Sequence, residues 1–456
     1  MARNRIIYQS QALFIAPSAT GVQVSGTSGP YVGIPLSPAS NTGELASGIS
    51  LLKKMDRIQN CNFNFSINRQ DINEFGKLAR IDSIVMETPT VGLDFSYYAT
   101  DGYNERLMGF NITGFKSDGT TFIDTNIVNG AQAISGLLSD LQGNNYYILT
   151  VDEGEDVVLG TLSPSSSIVA IGNGFISEYS FEASVGAIPT ASVTVEAFNI
   201  KSDANATVTT VTTGSAPATS SVGADIISIT GNSPAIDLSS SPANKFTSIG
   251  TAYKLDYSRA FSGAISAGAG VNFTGFTTGA SNVTALRPGD LVLTLPTSDG
   301  IADINGNGQA HIQSFSFTLP LSRTVLQRLG NTFGFARAIN VPINMDVTIN
   351  GIVSELESLN LFDRLGSPTA QTLVISLKDS SQAQKIVYTI KGAIFQGESY
   401  SESLGDNQTV DLTYSVQIGG ANDANNGLFM SGSYNGTTQA DAIVKTFFKL
   451  GTGKLG

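Results

Sequence analysis

The chain has one cysteine, one histidine and no tryptophan, and Asp, Glu, Lys and Arg make up only 14% of its 456 residues. Each shortage excludes something. With Cys61 alone there is no intramolecular disulfide, and with His311 alone neither a Cys–His nucleophile nor a His-based metal set has its partners. His311 is therefore expected to be structural or exposed. The low charge content and the abundance of Gly, Ser, Thr and Asn favour short strands joined by turns over long charged helices. No apolar run approaches the length of a membrane-spanning helix. Gly268 and Gly270 do not extend to GxGxxG, and GxxxxGK[ST] is absent, so no phosphate loop is expected. No enzyme, cofactor or metal site is expected.

Two acidic stretches need weighing. Residues 303–308 (DINGNG) match the start of a calcium loop, but its twelfth position is Ser314 where a bidentate Glu belongs, and an Asn/Gly turn explains the same letters. Asp152, Glu153, Glu155 and Asp156 form a cluster that suits a solvated loop or a cation. Net charge is −12 and unevenly placed. Residues 1–80 carry eight Lys/Arg against four Asp/Glu, and residues 81–200 carry two against fifteen. The imbalance reads either as two solvated faces that differ or as complementary poles for stacking on copies of the same chain. An acidic chain is a poor candidate for gripping nucleic acid.

What the chain does contain is a repeat. Residues 58–76 (IQNCNFNFSINRQDINEFG) return at 312–330 (IQSFSFTLPLSRTVLQRLG), with Ile58/Ile312, Gln59/Gln313, Phe63/Phe317, Arg69/Arg323 and Gly76/Gly330 identical. Four further blocks follow in the same order: 89–97 with 342–349, which sets Asp94 against Asp346; 137–141 with 361–365; 147–152 with 373–378; and 181–186 with 400–405. A period this long indicates two copies of one domain rather than a solenoid. The division expected is a first copy over 1–200, a Ser/Thr/Gly-rich linker over 201–245, a second copy over 246–420 and a tail over 421–456. Phe315, opposite Cys61 in the repeat, makes a buried apolar position the expected role of that cysteine.

Along the chain, polar Tyr8 to Gln11 interrupt what would be the apolar part of a signal peptide, so 5–15 is expected to be a strand of the mature protein. A long Gly/Ser/Pro-rich loop follows over 17–50. Residues 61–67 alternate as a half-buried strand, and 68–80 (NRQDINEFGKLAR) suggest a short helix or turn. Strands are expected within 81–100, at 107–115, 146–152, 167–171, 175–184 and 192–200, with the last two forming a hairpin. The apolar spacing of 131–141 (AQAISGLLSDL) predicts a helix. Residues 225–229 and 252–260 read as strands, and 441–450 as a short amphipathic helix.

Residues 66–105 (SINRQDINEFGKLARIDSIVMETPTVGLDFSYYATDGYNE) and 186–198 (GAIPTASVTVEAF) resemble regions of bacteriophage tail tube (major tail) proteins, as does the opening RNRIIYQSQALFIAP. The resemblance implies a mainly β fold: two tandem tail-tube-like β-sandwich or barrel domains, each with a flanking α-helix. It implies a virion structural subunit whose sheets join side by side into rings, three chains giving six domains, stacked into a channel for the genome. The partners implied are other copies of the chain and the tape measure, baseplate and terminator proteins, with a sheath where the tail has one. DNA would pass without specific binding, and no membrane is involved. A baseplate hub or tail terminator, and an adhesive or carbohydrate-binding β-protein, are the alternatives. Interface candidates are Arg69, Asp71, Glu74, Arg323 and the Asp152, Glu153, Glu155, Asp156 cluster; for Arg69 and Arg323 an intersubunit salt bridge and a local turn contact stand equal.

Overall fold

A computed structural model describes residues 11–17, 49–113, 132–138, 143–151, 167–203, 207–210, 225–228, 234, 236, 238, 252–256, 286, 291–294, 311–352, 370–379, 384–402, 408–420 and 423–432. In chain order the first half contains β1 (Gln11–Pro17), β2 (Ile49–Lys54), β3 (Ile58–Ser66), β4 (Arg69–Ile72), β5 (Asp82–Val85) and β6 (Thr90–Tyr98). A buried helix, α1 (Tyr103–Met108), then precedes β7 (Ile112–Thr113), one 3₁₀ turn (Ala133–Gly136), β8 (Asn144–Thr150), β9 (Ser167–Ser184), β10 (Thr190–Ala197) and β11 (Asn199–Asp203). The short strands β12 (Thr207–Thr210), β13 (Asp225–Ser228), β14 (Ala252–Asp256) and β15 (Leu291–Thr294) lie between. The second half adds β16 (His311–Pro320), β17 (Arg323–Leu326), β18 (Ala336–Ile339), β19 (Ile343–Ile352), β20 (Gln371–Lys378), β21 (Gln384–Ser401), β22 (Thr409–Ile418) and β23 (Gly427–Gly432).

The fold is mainly β, and one antiparallel sheet runs through both halves. Its order is β3–β6–β10–β9 followed by β16–β19–β22–β21. Alternation produces it: Val91, Leu93, Phe95, Val193, Val195, Val347, Ile349, Leu412 and Tyr414 all turn to one face and are buried. A second layer covers that face. The early part of β9 pairs with β8 and β11, and β8 pairs with β1. In the second half the early part of β21 pairs with β20 and β23, and β23 takes β7 of the first half as a parallel neighbour.

The ladders repeat residue by residue. The bonds Ile81 N–H to Ile72 O (2.8 Å) and Phe335 N–H to Leu326 O (2.9 Å) are 254 positions apart (335 − 81 = 254). Phe63 faces Leu93 as Phe317 faces Val347, at the same spacing. Asp94 therefore corresponds to Thr348, and Asp346 to Gly92; the alignment of the two aspartates is two residues out. Later strands keep a different constant spacing. Val195 opposes Ile176 as Tyr414 opposes Phe395, each beside a bulge that skips one residue, Ser177 or Gln396 (396 − 177 = 219). The bend where β9 leaves one layer for the other also recurs, with left-handed backbone at Asn173 (φ 54) and at Gly392 (φ 76). Asn173 holds its bend by bonding both ways to Ile236: Nδ2 donates to the carbonyl at 3.1 Å and Oδ1 accepts from the amide at 2.6 Å.

Several expectations fail. Residues 68–80 form neither helix nor simple turn but the β4–β5 hairpin, an arm that turns at Gly76 (φ 93) as the β17–β18 arm turns at Gly330 (φ 86). Of the helix expected over 131–141, the described part is a single 3₁₀ turn. The strand expected at 107–115 is the end of α1 and the two-residue β7. Residues 167–171 and 175–184 are one continuous strand. Within the stretch expected to be a linker, the strand expected at 225–229 is present as β13, which pairs with β12 and β14. Residues 441–450, 303–308 and 361–365 lie outside the described residues.

Helix α1 places charge inside the protein. Glu105 is fully buried, and its Oε1 accepts from Tyr97 Oη (2.8 Å) and Tyr179 Oη (3.2 Å), with Tyr388 Oη 3.2 Å beyond Tyr179. Its Oε2 is buried without a hydrogen-bond partner. Burial raises the Glu105 pKa, and the tyrosine bonds only partly offset that. A raised carboxyl pKa stabilises the fold most below the ordinary value near 4.5, and this contribution is lost as pH rises through the folded value. Glu105→Gln, which keeps the acceptor, should therefore gain stability relative to the parent as pH rises from 4.5 to 8, read as a widening Tm difference across a pH series.

Candidate functional site

The two outermost strands of the long sheet, β3 and the late part of β21, have no described neighbour on one side. Each has a counterpart inside the chain that is covered. β16, which repeats β3, pairs along seven residues with β9, which repeats β21; Phe317 faces Phe181 and Leu319 faces Tyr179. Tyr388 completes this junction, with ring centroids 4.8 Å from Phe181 and 5.3 Å from Phe317.

Exposure follows directly from this difference. Phe317, Leu319 and Leu321 are 1%, 0% and 0% exposed, whereas their equivalents Phe63, Phe65 and Ile67 are 45%, 62% and 42% exposed. On the other edge, Phe181 is 1% exposed and its equivalent Tyr400 is 43% exposed. Cys61 belongs to the same row. It was expected to be buried like Phe315 but is only half-buried, because β3 lacks a neighbour; partial desolvation still pushes its thiol up to about 12.

The uncovered face of the sheet is polar and of one sign. Asp94, Glu178, Glu182, Glu196, Asp346 and Asp411 project from it among Ser, Thr and Asn, as the pairings Asp94↔Thr194↔Glu178 and Thr318↔Asp346↔Ser415 require. No Lys or Arg occurs in β3, β6, β10, β16, β19 or β22, nor in residues 175–184 or 394–401. Glu196 alone of these six has an ion pair among the described residues, with Arg337 at 2.7 Å.

The arms differ in the same way as the edges. The β17–β18 arm lies against the first half. Arg337 bonds Glu196 and stacks 4.3 Å over Phe198, while Val325 and Phe333 pack on Phe175, Phe198, Ile236 and Leu238. Arg323 donates to the Arg337 carbonyl (3.0 Å) and the Leu137 carbonyl and lies 5.0 Å over Phe175. The β4–β5 arm stands in solvent. Arg69 is exposed on β4, Asp71 pairs with Arg80 (3.0 Å) and Glu74 with Lys77 (2.8 Å). The cluster of Asp152, Glu153, Glu155 and Asp156 lies outside the described residues. Nothing in the composition marked the edge strands, because β3 and β16 carry the same alternation. The row of apolar letters on both was the available signal.

No family model matches the chain, and no curated protein sequence matches it. Among solved structures it is similar to a chain of the cryo-EM structure of the anti-feeding prophage (AFP) baseplate, 6-fold symmetrised, at 20% identity over 27% of this chain and 80% of that one, with a TM-score of 0.19. Among the described residues no helix is long and apolar enough to cross a membrane, and no group of three or more His, Cys, Asp or Glu is placed to hold a metal.

The covered and open copies of one residue offer a direct test. Phe317→Ala should destabilise the isolated chain by about 3–5 kcal/mol, as for other fully buried phenylalanines. Phe63→Ala should change it by about 0.5 kcal/mol or less. Denaturant unfolding at a concentration where the chain is monomeric reads both.

Proposed function

We propose that this chain is the structural subunit of a phage tail tube, and that three copies close into a pseudo-sixfold ring which stacks around a channel for DNA. The observation that carries the reading is the pair of open edges, β3 and β21, which repeat a contact the chain already makes internally between β16 and β9. An open edge is an adhesive surface, and a head-to-tail contact that closes by rotation generates a ring. The register follows from the internal ladder. Thr318↔Ser180 translates to Asn64 of one copy against Ser399 of the next, and Phe317↔Phe181 to Phe63 against Tyr400.

The dimensions and charge suit a conduit. Three chains contribute about 24 strands at about 4.8 Å spacing, a circumference of roughly 115 Å and a backbone diameter near 37 Å before strand tilt widens it. The second layer covers the apolar face, so closure puts that bulk outside and the polar face inside. The wall strands then present carboxylates and hydroxyls with no Lys or Arg of their own, and they repel phosphates instead of holding them. The arrangement asks for no catalytic group.

Asn64→Cys with Ser399→Cys, in a Cys61→Ser background, should form disulfides between chains, since ladder partners sit within bonding range. Non-reducing electrophoresis should show linked species ending at three chains. Negative-stain microscopy of the parent protein should show hollow tubes; single unstacked rings would instead favour a baseplate hub or terminator. The pair Asn64→Cys with Glu398→Cys, one residue out of register, should link poorly. Equal linking by both pairs would sink the proposed register.

A further inference from the structure

The two arms follow the same strand of the repeat, yet only β17–β18 has a seat. It reaches from the second half across the β16–β9 junction and lies on the first half, where Thr88 Oγ1 also donates to the Thr332 carbonyl near its tip (3.3 Å). Its Phe335, Ala338 and Ile339 are half-buried there; the equivalents on the first arm, Ile81, Ile84 and Val85, are exposed. The seat also has an equivalent. Phe175 corresponds to Ile394, Glu196 to Ser415, Phe198 to Gln417, and Thr88, which meets the tip, to Pro342. That surface is uncovered where its twin is covered: Ile394 is 41% exposed against 4% for Phe175, and Val341, beside Pro342, is 77% exposed.

We propose that the β4–β5 arm of each chain clasps the second half of the adjacent copy, seating against Ile394, Ser415 and Gln417 with Leu78 meeting Val341. This rests on the ring reading above, because β3 must first pair with β21 of that copy to bring the arm over it. The clasp is a more polar version of the internal one. Ser83 replaces Arg337 on the arm and Ser415 replaces Glu196 on the seat, so the buried-side ion pair of the internal contact is missing. Asp71 and Arg80, bridged at 3.0 Å, stand where the internal arm has Val325 and Gly334. Chains can therefore dock and exchange before closure, while the two halves of one chain stay locked. The tips, Phe75 and Leu329, are fully exposed on both arms and take no part in the seat.

The test restores the missing pair. Ser83→Arg with Ser415→Glu should lower the concentration at which the chain assembles about tenfold, as a partly desolvated interfacial pair does, measured by sedimentation velocity at low salt. Ser83→Glu with Ser415→Glu should raise it by a similar factor, and neither single Ser83→Arg nor Ser415→Glu should reproduce the gain. If both double variants assemble at the parent concentration while the Asn64–Ser399 disulfide still forms, the clasp is wrong and the ring stands. If neither the disulfide nor any assembly forms, both are wrong.

Discussion

The backbone ladder between β9 and β16 is the constraint on which the rest of the molecule depends. It joins strands from the two halves along seven residues and turns what would be two sheets into one. Backbone pairing alone is indifferent to sequence, so the selectivity comes from the row beneath it, where Phe181, Phe315, Phe317 and Tyr388 interlock. Once this junction is made, β3 and the late part of β21 have no neighbour on one side among the described residues. Both repeat strands that form the junction, which is the basis of the proposed contact with another copy.

The two faces of the long sheet are specialised in opposite senses. One buries aromatic rings together with a carboxyl, Glu105, held among three tyrosines. The other gathers carboxylates in the open and excludes cations from its strands. Burial drives the carboxyl inside toward its protonated form, whereas the carboxylates on the other face meet solvent. The sheet thus separates a region where packing decides the outcome from one where long-range repulsion does.

Much of the fold was legible from sequence, and the failures have physical causes. The repeat over residues 58–76 and 312–330 is visible because it keeps both its length and its alternation. The false match of Asp94 with Asp346 arose because a strand pattern has period two, so a shift of two residues leaves every side chain on its expected face. The β4–β5 arm escaped notice because four-residue strands flanking a polar turn leave little alternation to read. Helix α1 was hidden by Glu105 and Arg106, charged residues that a surface helix would turn outward and this one buries. The apolar spacing of 131–141 matched a helix, but its described part is one turn. Of the interface candidates, Arg323 and Arg69 drew attention because they recur. The edge strands did not, because exposure depends on which neighbour is present and not on the letters themselves.

The change in spacing between equivalent strands, from 254 positions through β6 to 219 from β9 onward, means that the first half holds 35 more residues between matching strands than the second (254 − 219 = 35). Helix α1 and β7 lie in that longer connection, on the covered side of the sheet. In a closed ring the backbone of the inner wall would then repeat every sixth of a turn, but its carboxylates, like the outer surface, only every third, since Asp94 corresponds to Thr348, Asp346 to Gly92 and Glu196 to Ser415. Cargo moving through such a ring would meet a bore of even shape but of threefold charge. A protein fitted around the outside would find three addresses per ring, and its own symmetry would have to match three.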